Sequence, residues 1–310
     1  MNLKIGLGTD YSISEKPISE LQIKNTLRSA IEKGVSSFDT AHNYANGLSE
    51  KILGEVINEL KLENIDVYTK IGFIDISADI REDDEFEKIL LNQYSSLSIK
   101  DIQLAPQKRH FLQPDFITQC LETSISRLSK NSLRGVLLHN PETQLIKLSR
   151  PDFESILLNA FIVLENAFRS DIIKGYGVAT WQSFYLNPND HFYISIEWLH
   201  KLANKVGGKG NGFKTIMFPL NPSFLEKSLI KNQPVQNKNM SILDAAHKLQ
   251  LEVNISSPFN RGPKSIIEKK ICLDLLQDMY MNHKIHKIFT TMWSNTHLLE
   301  NVEMAKKFGD

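Results

Sequence analysis

Cysteine is nearly absent: Cys120 and Cys272 are the only two in 310 residues. Two thiols in separate helix-like segments neither frame a disulfide scaffold nor complete a zinc motif, so reduced thiols in a cytoplasmic protein are expected. Net charge is missing too. Lys and Arg total 36, as do Asp and Glu, which leaves no broad electrostatic footprint for nucleic acid or an anionic membrane. The expected partner is a small molecule, and the expected state a monomer or weak homo-oligomer. No run approaches the roughly 18 consecutive apolar residues that a membrane span needs. The opening MNLKIGLGT carries one Lys but no apolar signal region, so export is not expected. Repeats and low-complexity linkers are absent as well.

What is present is 41% hydrophobic residues, arranged as short β-branched runs alternating with amphipathic helical stretches. This alternation implies parallel strands joined by helical crossovers. Eight such units can be read, and an α/β fold of the (β/α)8 TIM-barrel type commonly needs about 250 residues. The expectation is one barrel domain over residues 1–310, with long loops after strands three and five.

The first strand runs from about Leu3 to Leu7. Its helix opens with Ser19 and Gln22 in capping-box spacing, sets Ile23, Leu27, Ala30 and Ile31 on one face, and stops at Gly34. VSSFD is strand two, followed by a helix from Ser49 whose Ile52, Leu53, Val56, Ile57 and Leu60 form a core stripe. Strand three is IDVYTKI. The next forty residues or so, Gly72 to Gln113, hold an acidic helical fragment near Glu85 and no barrel element, the kind of excursion that is usually functional or mobile.

A helix from Asp115 to Lys130 leads to LRGVLLH, and one from Asp152 to Ser170 leads to IKGYGVA. An insertion, Thr180 to Phe213, carries a helix near Ile196 to Val206 and a glycine-rich turn before strand KTIMF. Helix Ser241 to Leu249, strand LEVNIS, helix Lys264 to Asp278 and strand HKIFT follow. A closing helix from Thr296 presents Leu298, Val302 and Ala305.

In a parallel barrel, reactive groups sit at the C-terminal ends of strands. Asp39 ends strand two, Tyr44 lies just beyond it, Lys70 ends strand three and His139 ends strand four. Tyr alone is a weak acid, with a pKa of about 10. A neighbouring Lys70 favours the phenolate, Asp39 balances Lys70, and His139 is suited to hydrogen-bond an oxygen on which negative charge develops. That set suits carbonyl reduction.

FDTAHNYANGLSEKILGE resembles the aldo-keto reductase signature, in which Asp and Tyr fall five residues apart and a Ser-Glu pair opens the next helix. GLGT, YTK, LLHNPE, GVATW, SPF and HLLENV follow the family's order along nearly the whole chain. The later segments resemble a bacterial subgroup of unassigned substrate. The resemblance implies that Asp39, Tyr44, Lys70 and His139 are the catalytic tetrad, with hydride supplied by NADP(H) or NAD(H). It implies a cofactor site of Gly8, Thr9, Asp39, Thr180, Asn221, the Ser257–Pro258–Phe259–Gly262 turn, and Glu300 with Asn301 at the adenine end. The substrate is an aldehyde or ketone, or the alcohol in reverse.

Three places depart from the pattern. Met217 stands where a carboxamide-binding Gln is usual, and Ser256 where many members stack an aromatic on the nicotinamide. Thr291, Met292 and Trp293 fall where a cation grips the 2′-phosphate, which leaves the choice between NADP and NAD open. These departures keep alive a nicotinamide-binding sensor or partner protein with little turnover, and a lyase or isomerase using the same acid and lysine is a further alternative. GGKGNG (207–212) lacks phosphate-loop spacing and reads as a turn, and His283 with His286 lacks a companion for a metal. Lys108 and Arg109 in QKRH read as a solvated loop, or as a basic pair for an anionic or sugar-like substrate.

Overall fold

The structure, a computed structural model, describes residues 3–11, 18–77, 80, 83–128, 133–260, 265–292 and 295–308. In chain order its elements are β1 (Ile5–Gly8), α1 (Glu20–Glu32), β2 (Ser37–Asp39), α2 (Leu48–Glu59), β3 (Asp66–Ile71), α3 (Asp84–Gln93), α4 (Ile99–Leu104), α5 (Pro114–Arg127) and β4 (Leu133–His139). Then come α6 (Arg150–Arg169), β5 (Tyr176–Ala179), α7 (Ile196–Gly207), β6 (Phe213–Pro219), α8 (Leu225–Leu229), β7 (Gln233–Val235) and β8 (Lys238–Met240). The last are α9 (Ile242–Lys248), β9 (Glu252–Ser256), α10 (Ile266–Met281), β10 (Lys287–Thr290) and α11 (Asn295–Phe308).

Eight parallel strands close into a barrel in the order β1-β10-β9-β6-β5-β4-β3-β2, the (β/α)8 fold expected from the alternation. Gly8 pairs with Asp39, Lys70 with Leu137 and His139 with Ala179, so the polar strand ends converge on one mouth. Inside, Tyr68, Leu137, Ala179, Met217 and Phe289 from five strands form a buried plug beneath that mouth. Gly6 makes room for this plug, because a Cβ there would lie 2.3 Å from the Phe289 ring.

The helices follow their local signals. Ser19 and Gln22 form the reciprocal capping box of α1. Ile52, Leu53, Val56 and Ile57 of α2 are fully buried, each contributing about 2 kcal/mol by removal from water. Leu60 departs from the expected stripe: it is 41% exposed, because α2 ends at Glu59 and the chain turns away.

Three larger differences concern segments between barrel units. Among the described residues of 72–113, α3 and α4 form two helices, and Phe86, Leu90, Tyr94, Leu97 and Ile102 enter the core. The presumed insertion after β5 contains the crossover helix itself, since α7 packs beside α6. An antiparallel hairpin, β7 with β8, lies between β6 and α9. Both cysteines are buried and unpaired. Among the described residues, no helix is long and apolar enough to cross a membrane.

Candidate active site

A cleft of about 640 Å³ opens at the C-terminal mouth of the barrel. Asp39, Tyr44, Lys70 and His139 all line one end of it. Lys70 Nζ donates to Asp39 Oδ1 at 2.6 Å, to the Thr40 carbonyl at 2.9 Å and to the Tyr44 hydroxyl at 3.2 Å. The ammonium also lies 4.7 Å from the Tyr44 ring centroid. His139 meets Tyr44 edge-on, with centroids 6.0 Å apart.

The electrostatics follow from burial and these pairings. Burial, the largest single influence, favours a neutral Lys70 amine, but the charges and hydrogen bonds of Asp39 and Tyr44 together outweigh it and hold the ammonium above the usual lysine range. Burial pushes the Tyr44 phenol up to about 12, with Lys70 pulling in the opposite direction. The phenol is therefore neutral near pH 7, with its proton in place. His139 is held well below the usual imidazole range, first by burial and then by Lys70 and His110. A neutral His139 keeps one N–H to donate and one nitrogen to accept.

His139 is itself held from behind. Gln144 Nε2 donates to His110 Nδ1 at 2.8 Å, which assigns the His110 proton to Nε2 and directs it at the His139 carbonyl, 2.8 Å away. Phe73 packs edge-on against both rings, at 4.5 Å and 5.1 Å. His110 belongs to QKRH, and its neighbours also turn inward. Lys108 pairs with Glu87 at 2.6 Å, while Arg109 donates to the Ile76, Ser77 and Ile80 carbonyls. These bonds replace the solvated-loop reading, and they occupy the cations of the basic-pair reading within the protein.

The remaining candidates divide into two groups. Gly8, Thr180, Ser257, Pro258, Phe259, Glu300 and Asn301 line the cleft. Thr9 and Asn221 do not. Thr9 is buried under Asp39, its N–H donating to the Asp39 carbonyl at 2.8 Å. Asn221 donates to the Ser257 carbonyl at 3.1 Å and accepts from the Ser223 N–H at 3.0 Å, bracing the turn from outside. Gly262 and Trp293 lie outside the described residues. Thr180 is occupied: its hydroxyl donates to Glu142 Oε1 at 2.6 Å and accepts from the Ser183 N–H at 3.2 Å.

Several lining residues carried no motif signal, among them Asp10, Lys269 and Phe289. Asp10 directly follows GLGT, the one local hint. Lys269 stands 3.5 Å from Glu300 at the far end, brought there only by the packing of α10 on α11. The glycine-rich turn 207–212 precedes β6 and so lies at the opposite end of the barrel, where the Gly212 N–H donates to Glu165 at 2.8 Å. His286 faces Glu252 at 3.9 Å, and among the described residues no three His, Cys, Asp or Glu groups converge as a metal site would require.

Residues 4–188 match the family model described as "Aldo/keto reductase family". The chain belongs to this family. A D-threo-aldose 1-dehydrogenase of a Pseudomonas species is 26% identical over 172 residues, 54% of this chain and 46% of that protein. The chain matches less than half the length of such curated relatives. Among solved structures, a Klebsiella pneumoniae aldo-keto reductase in complex with NADPH superposes with a TM-score of 0.62 at 17% identity, covering 98% of this chain and 85% of the other. The holo form of an aldo-keto reductase from Bacillus halodurans gives 0.61 at 15% identity, covering 99% and 90%. At these identities the structural likeness concerns the fold. The Met217 side chain belongs to the apolar plug under the cleft.

Proposed function

We propose that this protein is a nicotinamide-dependent oxidoreductase that reduces an aldehyde or ketone, and oxidises the alcohol in reverse. Tyr44 is the general acid, assisted by Lys70, Asp39 and His139. The observation that carries this reading is the Lys70 ammonium within 2.6 Å of Asp39 and 3.2 Å of the Tyr44 hydroxyl, buried at the mouth of the barrel.

The cleft suits a dinucleotide in shape and in chemistry. Its floor is apolar, with Phe289 and Met217. Ser256, Ser257 and Asn260 lie along one side, and Lys269, Glu300 and Asn301 stand at the far end. A Cβ on Gly8 would reach 3.3 Å from Thr291 Oγ1, so the glycine keeps the trough between β1 and β10 open. A reduced nicotinamide supplies hydride when bound.

The residues of the chain do the rest. The Tyr44 hydroxyl gives its proton to the carbonyl oxygen as negative charge develops there. Lys70 stabilises the tyrosinate that is left, and Asp39 holds the lysine charged and aimed. His139 is presented at the same mouth as a neutral hydrogen-bond donor to the substrate oxygen, and Trp181 brings apolar surface for the substrate body.

The test is consumption of NADH or NADPH, followed by absorbance against a panel of carbonyls, with both cofactors titrated to establish preference. Tyr44→Phe is expected to lower kcat by about 10²–10⁴-fold while cofactor affinity is kept. Turnover by that variant equal to the unaltered protein would overturn the assignment. A second reading, nicotinamide binding with little turnover, draws support from the occupied Thr180 hydroxyl and the apolar Met217. Tight cofactor binding with no reaction across the panel would favour it.

A further inference from the structure

Tyr44 is carried by a turn that does not hold its own shape. The three residues after it have left-handed backbones: Ala45 (φ 48°), Asn46 (φ 56°) and Gly47 (φ 84°). Each non-glycine residue in that region costs roughly 1–2 kcal/mol, so the surroundings must fix the turn. The group pressed against it is the guanidinium of Arg127, at the end of α5. A Cβ built on Gly47 would lie 2.5 Å from Arg127 Cζ.

The bonds of that guanidinium converge on the flanks of the two central catalytic residues. Nη1 donates to the His42 carbonyl, two residues before Tyr44, and to Glu50 Oε2 on α2, both at 3.2 Å. Nη2 donates to Asp75, just beyond β3. Glu50 accepts the hydroxyl of Thr69, the neighbour of Lys70, at 2.6 Å, and the His42 N–H donates to the Lys70 carbonyl at 2.9 Å. Tyr94 and Gln93 donate to the remaining oxygen of Asp75, each at 2.5 Å. Glu50 is fully buried and Asp75 nearly so, and both pair with Arg127; the His42 ring also lies between them, 4.0 Å from Glu50 and 3.8 Å from Asp75, with burial holding it below the usual imidazole range. Arg127 does not itself line the cleft.

We propose that Arg127 is a positioning residue for the reaction, clamping the Tyr44 turn to the end of β3 so that the phenol and the Lys70 ammonium stay in hydrogen-bond contact. This rests on Tyr44 and Lys70 acting as described above. Without the clamp, the turn relaxes and the phenol leaves Lys70. The groups facing Tyr44 are Asp10, Asp39, Lys70 and His139, from the ends of four strands, and Lys70 is the cation among them. A phenol further from Lys70 is the weaker acid, so the alkaline limb of carbonyl reduction moves to higher pH while its plateau falls.

Arg127→Met, Arg127→Lys and Tyr44→Phe are compared with the unaltered protein for kcat against pH, for cofactor affinity by fluorescence quenching and for folded fraction by circular dichroism. Arg127→Met is expected to lower kcat about 10–100-fold, the scale of an ångström-level misplacement. Its alkaline limb should move up, and cofactor affinity should stay within about twofold. Arg127→Lys should recover part of kcat, and methylguanidinium added to Arg127→Ala should recover more. A loss by the same factor at every pH that follows the folded fraction would reduce Arg127 to a fold-stabilising residue, and an unchanged kcat and pH profile would remove the role entirely. If the unaltered protein reduces no carbonyl, or Tyr44→Phe works equally well, the functional reading fails first and this role goes with it.

Discussion

Behind His139, the imidazole of His110 is fully buried, with Gln144 donating to one nitrogen and the other N–H donating to the His139 carbonyl. Burial pushes its pKa down to about 4, against about 6.5 in an unfolded chain. Above pH 6.5 neither state binds the proton. As pH falls from there toward 4, the unfolded chain takes up a proton that the folded ring refuses, and stability is lost, to the extent of about 3 kcal/mol near pH 4. His110→Gln is expected to flatten the fall of the urea midpoint across this interval; an equally steep fall in the variant would assign it to other groups. His110 was visible in the sequence only as part of a basic loop. Its actual partner, Gln144, is 34 residues away, a separation that no local pattern bridges.

Among the elements, those with a strong local signal are legible and those without it are not. The capping box and apolar stripe of α1, and the Leu298, Val302 and Ala305 face of α11, coincide with the sequence reading. The hairpin β7–β8 does not. Its strands are three residues long, and its turn uses Gln236 and Asn237 at φ 50° and 64°, without the Asn-Gly or Asp-Gly pair that marks such a turn. The excursion after β3 was read as a long loop because its helices alternate apolar and acidic residues without a barrel strand between them.

This excursion is tied at its root, where the Phe111 N–H donates to the Gly72 carbonyl at 2.7 Å and the Ile74 N–H to the Arg109 carbonyl at 3.1 Å. Arg109 then gathers three carbonyls and covers the Phe86 ring at 4.6 Å. Arg109→Ala is expected to speed hydrogen exchange in residues 74–77 and in α3 by at least tenfold while leaving exchange in the barrel strands unchanged. Exchange that rises everywhere would make this element part of the global unfolding unit.

At the scale of the molecule, the barrel is closed where the first strand meets the last: Ile5 pairs with Ile288, Gly6 with Phe289 and Leu7 with Thr290. Gly6 sits at that seam, where a Cβ would strike both the Phe289 ring and, at 2.9 Å, the Ser37 carbonyl of β2. Gly6→Ala is therefore expected to cost about 1–3 kcal/mol by overpacking. Tryptophan fluorescence and far-ultraviolet dichroism should shift to the same lower urea midpoint; separated transitions would show that the seam opens before the rest. The eightfold rhythm and the order of strand-end residues were legible because both are properties of chain order. The far end of the cleft was less so, because Lys269 meets Glu300 through helix packing alone.

The ring also divides its labour. Asp39, Tyr44, Lys70 and His139 come from the consecutive strands β2, β3 and β4, whereas Met217, Ser256, Thr291, Lys269 and Glu300 come from β6 onward. The family match ends at residue 188, between these two halves. On the proposed reading the reacting groups share one arc of the mouth, while the apolar floor and the far end of the trough belong to the other. Under the proposed function, exchanging the chain beyond the β5–β6 junction would bring a different trough to the same four residues.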